Sequence, residues 1–184
     1  MDNLHRLSTL LREMNRVGDE ITEIIRRPAL TGHLGEFVSS RIFDIDLAAA
    51  ANNRAIDGRF REGPLSGKSV NIKCYLKLET LDINPNALPD FFLVLTGPRA
   101  TGTSVRGAAR PFVISHVFLF DAAALCETLK TRGVKLQTGT SLRRELWDLG
   151  ELYPENRSEI YTLSDSQRAI LALFAPLMPN ERRT

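Results

Sequence analysis

Leu4, Leu7, Leu10, Leu11, Met14, Val17, Ile21, Ile24 and Ile25 recur at spacings of three and four, with Arg12, Glu13, Arg16, Asp19, Glu20 and Glu23 between them. That period belongs to an amphipathic helix, which the pattern predicts from about Asp2 to Arg27, with Pro28 ending it. So long an apolar face suits covering a sheet or packing against a second copy. A second helix is predicted from Thr31 to Phe43. Leu34, Phe37, Val38, Arg41 and Ile42 lie near one stripe of it, and Glu36 falls at the stripe's edge. Asp44 to Ala51 fits either a helical turn or a short strand, and Asn52-Asn53 marks a turn.

The period then changes from three-and-four to two. Arg54 to Phe60 reads as a strand and Glu62 to Gly67 as a loop. Ser69 to Leu76 alternates most clearly: Val70, Ile72, Cys74 and Leu76 point one way, and Asn71, Lys73, Tyr75 and Lys77 the other. Phe91 to Leu95 is wholly apolar, as in a strand buried on both faces. Gly97 to Arg110 reads as a long loop, and Phe112 to Phe120 as another strand. Asp121 is placed to cap a helix from Ala122 to Thr131, which Gly133 stops. Ser141 is expected to cap a helix through Arg143, Glu145, Leu146 and Trp147. Ser164 or Asp165 is expected to cap a last helix carrying Ile170, Leu171 and Phe174, which Pro176 ends. Two helices, four strands with a central hairpin and then further helices predict a layered α/β or α+β domain.

Length and composition narrow the class. The 184 residues, 43% hydrophobic and 25% charged, suit one globular domain with a proper core. The formal net charge of +2 makes no case for nucleic acid by itself. Basic residues do cluster locally, at Arg99, Arg106 and Arg110, at Arg143 and Arg144, and at Arg182 and Arg183. Such clusters either contact phosphates or form a solvated surface. The two cysteines, Cys74 and Cys126, lie in apolar settings and form no CxxC pair, so free buried thiols are expected. No signal-peptide core and no apolar run of membrane length is present, which predicts a cytoplasmic protein without a membrane partner.

Four residues carry the candidate chemistry. Asn71 and Lys73 are two apart on one strand and share a face, so they are expected to point together at Asp57 on the neighbouring strand. Glu36 lies on the preceding helix. Phosphodiester hydrolysis needs an activated water and neutralised charge in the transition state, and a divalent cation supplies both. Magnesium takes oxygen ligands and keeps several waters, so one or two protein carboxylates suffice. Each piece also has a plainer reading. Asp57-Gly58 is a hairpin turn dipeptide, Lys73 fits a surface position, and Glu36 fits a solvated residue or a partner of Arg41.

In order and spacing, GEFVSSRIF, AIDGRF and VNIKCYLK together resemble the PD-(D/E)xK superfamily, the restriction-endonuclease-like fold. Glu36 matches that family's helical Glu, Asp57 its Asp at the start of a strand, and Lys73 its Lys on the next strand. Asn71 stands at the acidic position and departs from it, keeping an amide oxygen but losing a negative charge. The resemblance covers roughly residues 34–130. It implies a mixed central sheet flanked by helices, with a core over about 31–131. The long N-terminal helical arm (2–27) and a C-terminal helical extension (140–176) would be additions within a single domain spanning 1–184. It implies a metal-dependent DNA endonuclease, consistent with a restriction or defence role, using Mg²⁺ or Mn²⁺. Asp57 would be the main metal ligand, and Asn71 and the Ile72 carbonyl auxiliary ones. Lys73 would position water, and Glu36 would act through water or a second ion. Arg99, Arg106 and Arg110 would contact DNA, and a homodimer joined through the first helix would carry two sites. The alternative is a catalytically inactive module on the same fold that binds nucleic acid or protein. A third reading is a structural subunit that assembles through the first helix.

Other candidates are weaker. His33 would share the face of Glu36, but reads first as a surface histidine. His116 reads as a satisfied core residue. Leu125 to Leu146 has the outline of a helix-turn-helix with too long a link. No GxSxG elbow and no P-loop occurs.

Overall fold

Helix α1 (Asn3–Ile25) forms where the apolar spacing predicts it. The Asp2 carboxylate caps it by accepting the Leu4 N–H. Arg26 closes it in the left-handed region at φ 58°, its own N–H donating to the Thr22 carbonyl. The computed structural model describes residues 2–48, 55–78, 80–98 and 111–176. The Asn52-Asn53 turn, the arginines Arg99, Arg106 and Arg110, and Arg182 with Arg183 lie outside these. Helix α2 (Thr31–Ile42) follows, then β1 (Ile45–Leu47), β2 (Gly58–Phe60), β3 (Ser69–Tyr75), β4 (Thr80–Leu81), β5 (Phe91–Thr96) and β6 (His116–Asp121). The chain continues through α3 (Ala122–Thr131), β7 (Thr140–Ser141), α4 (Arg144–Gly150), β8 (Glu151–Tyr153) and α5 (Asp165–Ala172).

Six strands form one mixed sheet in the order β1-β2-β3-β5-β6-β8. The first three make an antiparallel meander. β5 returns parallel to β3, with Val70 opposite Phe91, and β6 and β8 add antiparallel beyond it. A short 3-10 turn at Gly63–Leu65 closes the β2–β3 hairpin. Gly63 and Gly67 sit there at φ 76° and 77°, a region L-residues with a Cβ rarely adopt.

The sheet is covered on both faces. Val38 and Ile42 of α2 and Leu171 of α5 pack with Ile72, Leu93 and Leu119 on one side. Leu125 and Leu129 of α3 and Trp147 of α4 pack with Phe92, Val94 and Phe118 on the other. Alternate residues of β5 therefore enter different cores, and all six are buried. This is the two-faced burial that the apolar run predicts. The protein is thus mixed α/β, a central mixed sheet with helices on each side.

Several elements differ from the sequence expectations. The strand expected over Arg54–Phe60 is ladder-paired only from Gly58, and the one expected from Phe112 begins at His116. Ser141 does not cap α4. It lies in β7, and Arg143 occupies the cap position. β7 pairs with β4 in a small separate ribbon, so α3 and α4 are not joined by a helix-turn-helix link. The segment after α3 was expected to be helical, yet it also contributes β8 to the main sheet. Alternation is unreadable in two- and three-residue strands, which explains why neither β7 nor β8 stands out. The final helix is capped by Ser164 with Gln167 in a reciprocal box, and ends at Ala172, before Pro176. Cys74 and Cys126 are both free thiols.

Candidate functional site

The site begins with how closely α2 lies on β3. A Cβ built on Gly35 would collide with the Cβ and Sγ of Cys74, so glycine is what lets the helix approach. The next residue, Glu36, is carried towards the point where β2 and β3 part. The last backbone link there is Asp57 N–H to Val70 O, at 2.9 Å. Beyond it the Asp57 side chain takes over from the missing strand. Its Oδ2 accepts the Ile72 N–H at 2.7 Å. In a strand the N–H and C=O of one residue point the same way, so the Ile72 carbonyl also faces this opening.

Glu36, Asp57 and Lys73 are brought into one electrostatic neighbourhood. Burial pushes the Asp57 carboxyl above its usual range, opposed by the Ile72 N–H and by the charges of Lys73 and Arg27. Burial likewise raises Glu36, and repulsion from Asp57 raises it further. Arg27 and His33 pull the other way. Two carboxylates that each hold their protons too tightly face one another here. Glu36 is ion-paired to Arg27 at 2.5 Å. Its partner is therefore not Arg41, whose guanidinium lies 5.3 Å from the Phe37 ring centre. Arg27 also donates to the Ala48 carbonyl, at 3.3 Å, and Ala48 N–H donates to the Asp57 carbonyl.

Asn71 and Lys73 lie on the sheet face away from α2. Ile72 packs in the α2-side core with Cys74 against it, whereas Tyr75 packs against the opposite core. Asn71 is buried, 5% exposed. Its Oδ1 is fully enclosed and has no hydrogen-bond partner. An enclosed amide oxygen left unmatched is costly and calls for a reason. Lys73 is half-buried and borders a crevice of about 380 Å³ that Asp82, Asn84, Gln137 and Thr138 also line. The small ribbon builds the far wall. Asp82 Oδ1 accepts the Gly139 N–H at 2.7 Å, and Ile83 N–H donates to the Gln137 carbonyl. Glu36 thus reaches the strand opening from one face of the sheet and Lys73 from the other, with Asp57 between them. The three DNA-contact candidates, Arg99, Arg106 and Arg110, lie outside the described residues.

Sequence reasoning did not single out Arg27 or Asp82. Arg27 follows the last turn of α1 in an Arg-Arg-Pro run, and nothing in the helical period ties it to a residue nine positions on. Asp82 acquires its place through a two-stranded ribbon that has no readable alternation. His33 holds the Pro28 carbonyl through Nδ1 at 2.9 Å. His116 is partly buried, with Nδ1 3.2 Å from the buried Glu151 carboxylate, and stacks on Phe118.

The candidate donors are Asp57, whose Oδ2 already accepts the Ile72 N–H, the Ile72 carbonyl, Glu36 on the α2 side, and Asn71 Oδ1, which is enclosed on the other face of the sheet. Among the described residues no three His, Cys, Asp or Glu side chains converge in a metal-holding group. The set is two carboxylates and an amide, which suits a hard cation that retains its waters rather than a fully protein-caged one. Among the described residues no helix is long and apolar enough to cross a membrane. No protein-family model matches the chain, and no curated protein is significantly similar to it.

Proposed function

We propose that this chain is a metal-dependent phosphodiesterase of the restriction-endonuclease-like fold, acting on DNA as an endonuclease. The observation that carries the reading is the opening between β2 and β3. There the Asp57 carboxylate is pinned to the Ile72 N–H with Glu36 and Lys73 in its electrostatic reach. The antiparallel meander followed by a parallel fourth strand supports the fold assignment, because it sets the Asp-bearing and Lys-bearing strands side by side.

Asp57, Asn71 and the Ile72 carbonyl would hold Mg²⁺ or Mn²⁺, with Glu36 near enough to act through water. The ion, when bound, supplies charge neutralisation and an acidified water. The remaining work falls to this chain's own groups. Lys73 places a positive charge beside Asp57, where negative charge develops as water adds to phosphorus and the leaving oxygen departs. The Ile72 N–H holds Asp57 Oδ2, so the ion would be taken by the other carboxylate oxygen. Arg27 holds Glu36 in place. The crevice beside Lys73 gives the substrate strand a polar wall.

A second reading is a module on the same fold that binds nucleic acid or protein without cutting. It is favoured by the engagement of Glu36 with Arg27 and by the amide at position 71.

The deciding experiment incubates the protein with supercoiled plasmid in Mg²⁺ or Mn²⁺, beside Asp57→Ala and Lys73→Ala. Metal-dependent nicking or linearisation that both substitutions abolish supports the nuclease. Cleavage surviving both removes the site assigned here. Salt-sensitive binding without cleavage in either metal favours the binding module.

A further inference from the structure

We propose that α1 joins two copies of this chain as a parallel, in-register coiled coil. The proposal does not rest on the nuclease reading. Helix α1 runs for 23 residues, and Ile25 is its one buried residue. Leu4, Leu10, Met14 and Ile24 are 58–70% exposed, and Leu7, Leu11 and Val17 are 40–50% exposed. Single exposed leucines are ordinary, but seven large apolar side chains aligned on one helix are not.

Their spacing identifies the occupant. Leu7, Leu10, Met14, Val17, Ile21 and Ile24 alternate steps of three and four. This fits the 3.5-residue period of a coiled-coil seam, with Leu4, Leu11 and Ile25 extending the apolar face along one flank. The acidic residues beside the seam are already partnered within the helix, since Arg16 pairs with both Glu13 and Glu20. Pairing with an identical helix in parallel register stacks each seam residue on its own copy. The flanking positions Arg6 and Glu13 then meet Leu11 and Gly18 of the second helix, and Ile25, the residue in register with Glu20, is uncharged and buried in its own domain, so no like charges are opposed. An antiparallel pairing instead brings Glu13 near Glu20. A Cβ at Gly18 would meet nothing within 4 Å, so the helix surface there is open to close approach.

Area supports a dimer as well. The exposed apolar side chains of this face amount to roughly 600 Å² per copy, so a pair buries about 1,200 Å², the lower end of stable specific interfaces. In proteins most helical stability comes from packing an amphipathic face rather than from propensity. The part of α1 that projects from the domain is therefore expected to be firmly helical only when its seam is covered.

Sedimentation equilibrium across micromolar concentrations tests the proposal, with the double variant Leu10→Glu/Met14→Glu and the outer-face control Arg12→Glu. The expected result is a dimer mass for wild type and for the control. Two carboxylates buried in the seam should weaken association by about a hundredfold or more, while near-ultraviolet circular dichroism of the domain stays unchanged. Orientation is read with Asn3→Cys, which lies in the seam and should oxidise to a disulfide-linked dimer only in parallel register. A wild-type monomer at every concentration overturns the proposal. So does a trimer, a dimer indifferent to the double variant, or a dimer in which Asn3→Cys never crosslinks. A monomer that instead binds acidic lipid vesicles through α1 also overturns it. Plasmid assays keep the two readings apart. A dimer without cleavage fails only the nuclease, whereas a monomer that still nicks fails only the dimer.

Discussion

The hydrogen bond from the Ile72 N–H to Asp57 separates the structural role of this carboxylate from its chemical one. In Asp57→Ala the Ile72 N–H, on a residue only 7% exposed, loses its acceptor. A buried donor left unmatched costs about 1–3 kcal/mol. At roughly 2–4 °C per kcal/mol for a chain of this size, that is a fall in Tm of about 2–12 °C. Asp57→Asn keeps an acceptor oxygen in the same position and removes the charge. Because burial is the largest influence on Asp57 and raises its pKa, the folded state disfavours the ionised form. Between the ordinary carboxylate value of 3.8 and the raised folded one, the folded chain binds more protons than the unfolded chain. Stability therefore falls as pH rises through that window, and at pH 7 the ionised Asp57 is a net cost. Asp57→Asn is accordingly expected to melt at or above the wild-type temperature at neutral pH. Wild type should gain on it as pH drops through the window. Glu36 should titrate lower in this variant, since repulsion from Asp57 is the second cause of its rise. Thermal melts in a pH series, with the Glu36 carboxyl carbon followed by NMR, measure all three. If Asp57→Asn is destabilised at pH 7 as much as Asp57→Ala, the carboxylate charge is stabilising and the electrostatic reasoning fails. On the proposed function both variants lose cleavage, so Asp57→Asn should be stable and inactive.

Gly35→Ala and Gly32→Ala should differ in sign although both lie in α2. The first drives a methyl into Cys74 and is expected to cost about 1–3 kcal/mol net of helix propensity. The second meets nothing within 4 Å and should gain a few tenths to about 1 kcal/mol by denaturant titration. Cys74→Ala should not rescue Gly35→Ala, because the Cβ that causes the collision remains. Lys73→Ala is expected to lower kcat for plasmid cleavage by about 10²–10³-fold while changing stability by no more than about 1 kcal/mol. Mn²⁺ or Mg²⁺ at about a hundredfold over Kd should stabilise wild type by about 2.7 kcal/mol and leave Asp57→Asn unmoved. Equal shifts in both would place the ion elsewhere. Asn71→Asp should tighten that binding while lowering stability without metal, both read from melts with and without EDTA.

Legibility followed the length and period of each element. Helix α1, with six turns of regular apolar spacing, and β5, apolar throughout, were plain in the sequence. Ala122–Thr131 was recovered residue for residue, because a capping Asp and a stopping Gly bracket it. The short strands β4, β7 and β8 were not visible. Two or three residues carry no periodicity, and their pairing is decided by tertiary contacts rather than local preference. Glu36, Asp57 and Lys73 were expected near one another from order, spacing and the family resemblance, and the charges of Glu36 and Lys73 do reach Asp57. That Asp57 also completes the edge of β3, through a bond from Ile72 across fifteen positions, was not. Nor was Arg27, whose pairing with Glu36 depends on how the chain turns at Pro28 between two helices. Alternation correctly put Asn71 and Lys73 on one face, but could not say that Asn71 would be almost wholly enclosed. A polar residue in an alternating strand reads as solvent-facing until the covering layer is known.

That enclosure gives the amide at position 71 a physical rationale. Burial already raises both Glu36 and Asp57, and each sharpens the problem of the other. A third carboxylate at a position 5% exposed would suffer the same desolvation without an Arg27 or an Ile72 N–H to offset it. Without a cation it would either stay protonated or destabilise the fold. An amide avoids that cost while keeping an oxygen of the same shape, and the orphaned Oδ1 is what remains of the compromise. On the proposed function, an amide here would weaken Coulombic attraction for a cation while sparing the ion-free chain the burial of a third charge. Cation affinity would then depend chiefly on Asp57, whose Oδ2 is held by the Ile72 N–H. A single substitution at position 57 is therefore enough to distinguish a metal-dependent centre from a module that binds without cutting.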